Sequence, residues 1–100
     1  MPKLNVVLPH KLSQEEVLRR IKDLLPQVQK EYEKDISDLR QEWQGAIGTF
    51  NFKSRGGKVS GTLTVRSADV ELFADLPLAA TFFKGRVEKT VKKRGAALLA

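Results

Sequence analysis

Between Trp43 and Pro77 apolar and polar residues alternate almost without a break. A period of two sustained over that length predicts strands and leaves no room for a helix. Ala46, Gly48, Phe50 and Phe52, then Val59, Gly61, Leu63 and Val65, then Val70, Leu72, Ala74 and Leu76 form one set. They predict three strands sharing a buried face. Arg55-Gly56-Gly57-Lys58 reads as a tight hairpin with glycine at both central positions, and Ser67-Ala68-Asp69 as a second turn. The opposite face carries Thr49, Asn51, Lys53, Ser60, Thr62, Thr64, Arg66, Glu71 and Asp75, with Phe73 as its aromatic, and is expected to meet water or a polar partner.

What precedes the alternation reads as a strand and a helix. Leu4, Val6 and Leu8 alternate with Lys3, Asn5 and Val7 until Pro9, which cannot donate to a ladder. Ser13 and Glu16 form a capping box, Leu12 can staple onto Val17, and Val17, Ile21, Leu24, Leu25 and Val28 recur at helical spacing. Pro26 predicts a kink near Lys22 to Pro26. Tyr32, Ile36, Leu39 and Trp43 would extend the stripe, but a helix from Gln14 to Trp43 would span about 45 Å. A helix ending near Lys34 is preferred, with a fourth meander strand from Ile36 that puts Leu39, Gln41 and a buried Trp43 on one face. After Pro77, Ala80, Phe83, Val87, Val91 and Leu98 mark the buried stripe of a second helix, fraying past Arg94 because Gly85 and Gly95 weaken it. Phe82, adjacent to Phe83, is left to cover a sheet edge or a partner.

The expected order is therefore strand, helix, four strands, helix: an α+β antiparallel sheet with both helices on one face. One hundred residues suit one domain. The absence of cysteine excludes disulfides and thiolate chemistry and fits a reducing compartment. No apolar run approaches the ~20 residues that span a bilayer, and the N-terminus lacks a signal peptide's apolar centre, so a cytoplasmic location is expected.

The net charge of +6 is unevenly placed. Residues 1–50 hold eight basic and eight acidic side chains, and residues 51–100 hold ten and four. The surplus lies in the first hairpin (Lys53, Arg55, Lys58) and the last helix (Lys84, Arg86, Lys89, Lys92, Lys93, Arg94). Such a face can meet an anionic partner, or be a solvated surface with cations near a helix C-terminus.

Chemistry-bearing groups are sparse. His10 is the only histidine, so a histidine cluster for metal is impossible, and Ser13 is committed to capping. Gly56-Gly57 has no following helix and is no phosphate loop. Asp69, Glu71 and Asp75 read as the wet side of a strand. No enzyme activity, cofactor or metal is expected.

The residues His10-x-Leu12-Ser13-x-Glu15-Glu16 with Arg20-Ile21, then Trp43-x-Gly45, Phe50, Val59-Ser60-Gly61-x-Leu63-x-Val65, Leu76-Pro77-Leu78 and Phe83-Lys84-Gly85 resemble the polyhydroxyalkanoic acid system proteins. These are small bacterial proteins named for the polyester storage system. The resemblance covers His10 to Val91, rests on turn glycines, caps and core apolars, and supplies no catalytic or binding residues. The element order is also similar to helix-grip and TBP-like architectures, an analogy of fold alone. The resemblance implies an accessory protein that meets a granule surface or a granule-associated protein, for which Phe73, Phe82, Lys84, Arg86, Lys89, Lys92 and Lys93 are the candidates. A carrier of a small apolar ligand between sheet and helices is ranked lower, since at this length that space is expected to be core. Nucleic-acid binding through the basic second half is lower still, because aromatics are not interleaved with the cations.

Overall fold

The computed structural model describes residues 3–54 and 56–100; Arg55, expected at the hairpin tip, lies outside them. The elements are β1 (Lys3–Pro9), α1 (Gln14–Glu31), β2 (Ile36–Gln44), β3 (Ile47–Ser54), β4 (Gly57–Val65), β5 (Asp69–Asp75), a 3-10 helix (Leu78–Phe83) and α2 (Lys84–Leu98). All pairings are antiparallel, in the order β1-β5-β4-β3-β2. α1 lies against β4 and α2 against β1, so both helices cover one face. The α+β order expected from the sequence is the one observed, and Ile36 to Gln44 is strand.

The inner face is the alternating set. Gly48, Val59, Val65, Val70, Ala74 and Leu76 are buried, while Phe50, Phe52, Leu63 and Leu72 are half-buried. Gln44 pairs with Ile47 across a two-residue turn in which Gly45 sits at φ 60°, the position where a II′ turn takes glycine. Ser54 pairs with Gly57, so Gly57 belongs to the strand rather than to the turn's centre, one residue off the expected arrangement. The ladder spacing overrides the local turn signal there.

Ser13 caps α1, its Oγ accepting from the Glu16 amide at 3.1 Å. The reciprocal half of the expected box is absent, because the Glu16 carboxylate instead accepts from Arg19 Nε at 3.1 Å and Arg20 Nε at 3.0 Å. Charged donors outcompete a backbone amide. Those bonds, Arg19's first and then Arg20's, hold the Glu16 carboxyl down at about 2 from its ordinary 4.5. A depressed carboxyl stabilises the fold above its unfolded pKa and loses that contribution as pH falls through the folded one. Glu16→Gln should therefore flatten the loss of stability between pH 4.5 and about 2, followed by circular dichroism. An acid profile identical to the parent's would show that the pair contributes nothing to folding.

α1 runs through Pro26 to Glu31 without a break in its helical assignment. At the other end of the chain, Pro77 opens a 3-10 helix, not an α-helix, with the Ala80 amide bonded to the Pro77 carbonyl at 2.9 Å. Three residues per turn shift the phase of the stripe before α2 begins. As a result Phe83 and Val87 are exposed rather than buried, and Ala80, Val91 and Leu98 carry the packing. α2 continues past Arg94 to Leu98, held by Gly95 against Leu8 and by Arg20 Nη1, which donates to the Leu98 carbonyl at 2.8 Å.

His10 is buried at 8 % exposure. Its Nδ1 accepts from the Leu12 amide at 3.1 Å, which leaves Nε2 to donate to the Arg66 carbonyl at 2.9 Å. The ring ties the end of β1 to the β4–β5 turn. Both nitrogens are engaged by backbone, and Ser13 is engaged separately at its helix.

Candidate functional site

Two inner-face aromatics lie across from glycines. Trp43 pairs with Gly48 and Phe50 with Gly61, and each glycine leaves the space that the neighbouring ring occupies. A Cβ on Gly48 would stand 2.8 Å from the indole carbons; one on Gly61 would meet the Phe73 carbonyl oxygen and the Phe50 ring. Trp43 is thus half-buried on a glycine floor rather than enclosed, with Lys22 Nζ 5.2 Å from its ring centroid and Nε1 donating to Gln41 Oε1 at 2.8 Å. Phe50 and Phe52 stack at 6.3 Å.

β2 carries a bulge. Ser37 pairs with Lys53 but Arg40 with Asn51, so β2 has one residue more than β3 between those pairs, and Asp38 adopts φ 53° there. The extra residue brings Ile36 onto the same face as Leu39, Gln41 and Trp43. Strict alternation would have placed it opposite.

The buried residues then fall into two clusters. Leu4, Val6, Val59, Ala74 and Leu76 form one, towards the 3-10 helix and α2, and Val17, Ile21, Val65 and Val70 form the other, under α1. Between sheet and helices lies a cavity of about 270 Å³. Its floor is Phe50, Phe52, Leu63 and Leu72, and its roof is Leu24, Leu25 and Val28 of α1 with Val91 and Leu98 of α2. This corrects the expectation that core would fill the space. Of the small inner-face residues Gly48 borders it, with the Trp43 ring lying across that glycine, and the helices are not drawn down to the floor.

Four lining residues carry polar side chains: Gln29, Gln41, Thr49 and Arg94. Gln29 and Gln41 are exposed, which sets the open side between the second half of α1 and β2. Arg94 links the two helices, its Nη2 donating to Glu31 Oε2 at 2.8 Å. Its other terminal nitrogen, Nη1, is buried and has no hydrogen-bond partner among the described residues. An unsatisfied buried donor costs about 1 to 3 kcal/mol, more when charged. The sequence singled out Arg94 only as one of several cations.

The residues expected at an interaction surface do not line this cavity. Phe73 lies on the uncovered face, opposite Asn5 and Thr62 in the ladder, with Lys3 Nζ 5.6 Å from its ring centroid. Phe82 stands on the 3-10 helix at 90 % exposure. Arg86, Lys89, Lys92 and Lys93 are exposed on α2, Lys92 pairing with Glu88 at 3.1 Å, and Lys84 is half-buried. Phe73 is therefore separated from the others by the sheet. Three acidic residues of the uncovered face are paired: Asp69 and Glu71 with Arg66, Glu71 also with Asn5, and Asp75 with Lys3. The Asn5 and Arg66 bonds hold the Glu71 carboxyl below its ordinary range. No group of three acidic, histidine or cysteine side chains that could hold a metal occurs among the described residues. No helix among them is long and apolar enough to cross a membrane.

A search of curated proteins returns no match. Among solved structures, the crystal structure of TTHA0849 from Thermus thermophilus is similar over 98 % of this chain and 92 % of that one, at 16 % identity and a TM-score of 0.36. The family model described as "Putative polyhydroxyalkanoic acid system protein" matches residues 4–99. That match spans the sheet and both helices, and the chain belongs to the polyhydroxyalkanoic acid system protein family.

Proposed function

We propose that this chain is a non-enzymatic accessory protein of the polyhydroxyalkanoate storage system that holds an apolar chain between its sheet and helices. The observation that carries this reading is the cavity of about 270 Å³ with its leucine, valine and phenylalanine lining. Leaving an apolar lining of this kind open to water costs about 25 cal/mol for each Å² that a bound apolar chain would otherwise cover. An apolar void of about 150 Å³ already stays dry and takes up benzene. The lining offers no histidine or carboxylate base, and the Thr49 hydroxyl lies on the uncovered face, donating to the Glu42 carbonyl, which favours binding over turnover. The test is titration with the neutral fluorophore N-phenyl-1-naphthylamine. Saturable binding at one site per chain, with a raised melting temperature, is expected. Absence of saturable binding would remove the reading.

A second reading concerns the granule surface. Leu78, Phe82 and Phe83 are 71, 90 and 56 % exposed on one short 3-10 helix, beside the cations of α2. Apolar side chains flanked by cations insert at interfaces in this way. Co-sedimentation with polyester granules should fall at least several-fold in Phe82→Ser and persist in high salt. A parent protein that stays in the supernatant at low salt would end the surface reading without touching the cavity.

A further inference from the structure

The cavity is closed at one end and open at the other, and its walls offer almost nothing polar. Leu8 lies so close to Gly95 that a Cβ there would collide with Leu8 Cδ1, which shuts the end between β1 and α2. Arg94 donates to Glu31 at 2.8 Å and joins the helices across the roof, while the continuous ladder closes the floor. What stays open is the gap between α1 and β2, where Gln29 and Gln41 are exposed. From β2 to β1 the lining crosses all five strands, a run of about 19 Å at ~4.8 Å per step. Along that run no side chain is free to meet a polar group. Thr49 points to the other face, where it donates to the Glu42 carbonyl, and Arg94 Nη1 is sealed within the wall.

We infer that the ligand is a single-headed alkyl amphiphile of the fatty-acid type, its polar head at Gln29 and Gln41 and an unbroken hydrocarbon chain running inward past Leu63 and Leu72 towards Val91. This rests on the cavity being a ligand site, and it names the ligand's class. A hydroxyl or ester oxygen on the inner part of the chain would lose its water and find no partner, a cost that plain hydrocarbon avoids. The head keeps its water at the entrance. There Gln41 Oε1 already accepts from Trp43 at 2.8 Å, which leaves the amide nitrogen of Gln41 as a donor for the head. Where a polar group sits along the chain, more than how many there are, therefore decides affinity.

The experiment is displacement of N-phenyl-1-naphthylamine from the full chain by decanoate, 2-hydroxydecanoate and 10-hydroxydecanoate, each affinity being read relative to that compound's own partition into octanol. 2-Hydroxydecanoate carries its hydroxyl beside the head and should match decanoate on that scale, whereas 10-hydroxydecanoate should fall at least ~tenfold below both. Val91→Thr nearly keeps the side chain's shape and sets a hydroxyl at the inner end. It should recover most of the 10-hydroxydecanoate loss while leaving decanoate within about threefold of the parent. Three results would overturn the inference while the cavity reading stands: bound fluorophore that decanoate cannot displace, equal relative affinities for the two hydroxy acids, or a 10-hydroxydecanoate deficit that a folded Val91→Thr protein leaves unchanged. A parent that fails to bind the fluorophore would bring down the cavity reading itself.

Discussion

Gly61→Val should lower the melting temperature by roughly 12 to 24 °C, the equivalent of about 3 kcal/mol for a domain of this size. The reason is local. A Cβ at Gly61 would meet the Phe73 carbonyl oxygen, which the β4–β5 ladder holds in place, and the Phe50 ring, which lies across the glycine. The ring can turn only into the cavity, and the carbonyl cannot move without breaking the ladder. Gly85→Ala is the internal control, because nothing lies within 4 Å of the added methyl. It should be neutral or stabilise by up to about 1 kcal/mol, the helix-propensity gain. A Gly61→Val protein that melts with the parent would mean that Phe50 does not sit on that glycine.

Leu63→Trp should reduce fluorophore affinity at least ~100-fold, a loss of about 2.7 kcal/mol of binding. Leu63 is at the centre of the floor, paired with Gly48 on one side and Leu72 on the other, and the indole would project into the space a ligand needs. Stability should hold or rise, since added atoms recover part of the cavity's cost. This opposition of effects identifies the site: ordinary core damage would lower both. Undiminished binding in a folded Leu63→Trp protein would place the fluorophore elsewhere, and Phe82→Ser would then show whether it sits on the exposed 3-10 helix.

The sheet was legible in the sequence because a half-buried strand writes its burial into alternate residues, as from Gly48 to Leu76. The switch from α1 to β2 was legible for a different reason: a helix continued to Trp43 would overrun a chain of this length. Three features were not legible, each because it depends on partners distant in sequence. The bulge that turns Ile36 inward is a mismatch between β2 and β3, invisible in β2 alone. The 3-10 helix keeps an apolar pattern that an α-helix would also carry, so Phe83 and Val87 were misread as buried. The cavity is a matter of how far the helices stand from the floor. Its trace in the sequence is slight: Gly48 on the floor and a long apolar stripe on α1 above it. Arg94 was indistinguishable from Lys92 or Lys93 until α2 met Glu31.

The Asp38 bulge has a consequence for self-association. β2 is an edge strand, bonded to β3 on one side only, and an edge of flat, regular strand is a template on which another chain's strand can be added. The extra residue interrupts the regular spacing of its outward amides and carbonyls, and Ser37, Asp38, Arg40 and Glu42 place polar and charged groups along it. At the opposite edge, β1 ends in a proline, which has no amide hydrogen to offer. Both borders of the sheet thus resist extension by a second copy, so the same insertion that completes the lining of the cavity also guards against edge-to-edge aggregation.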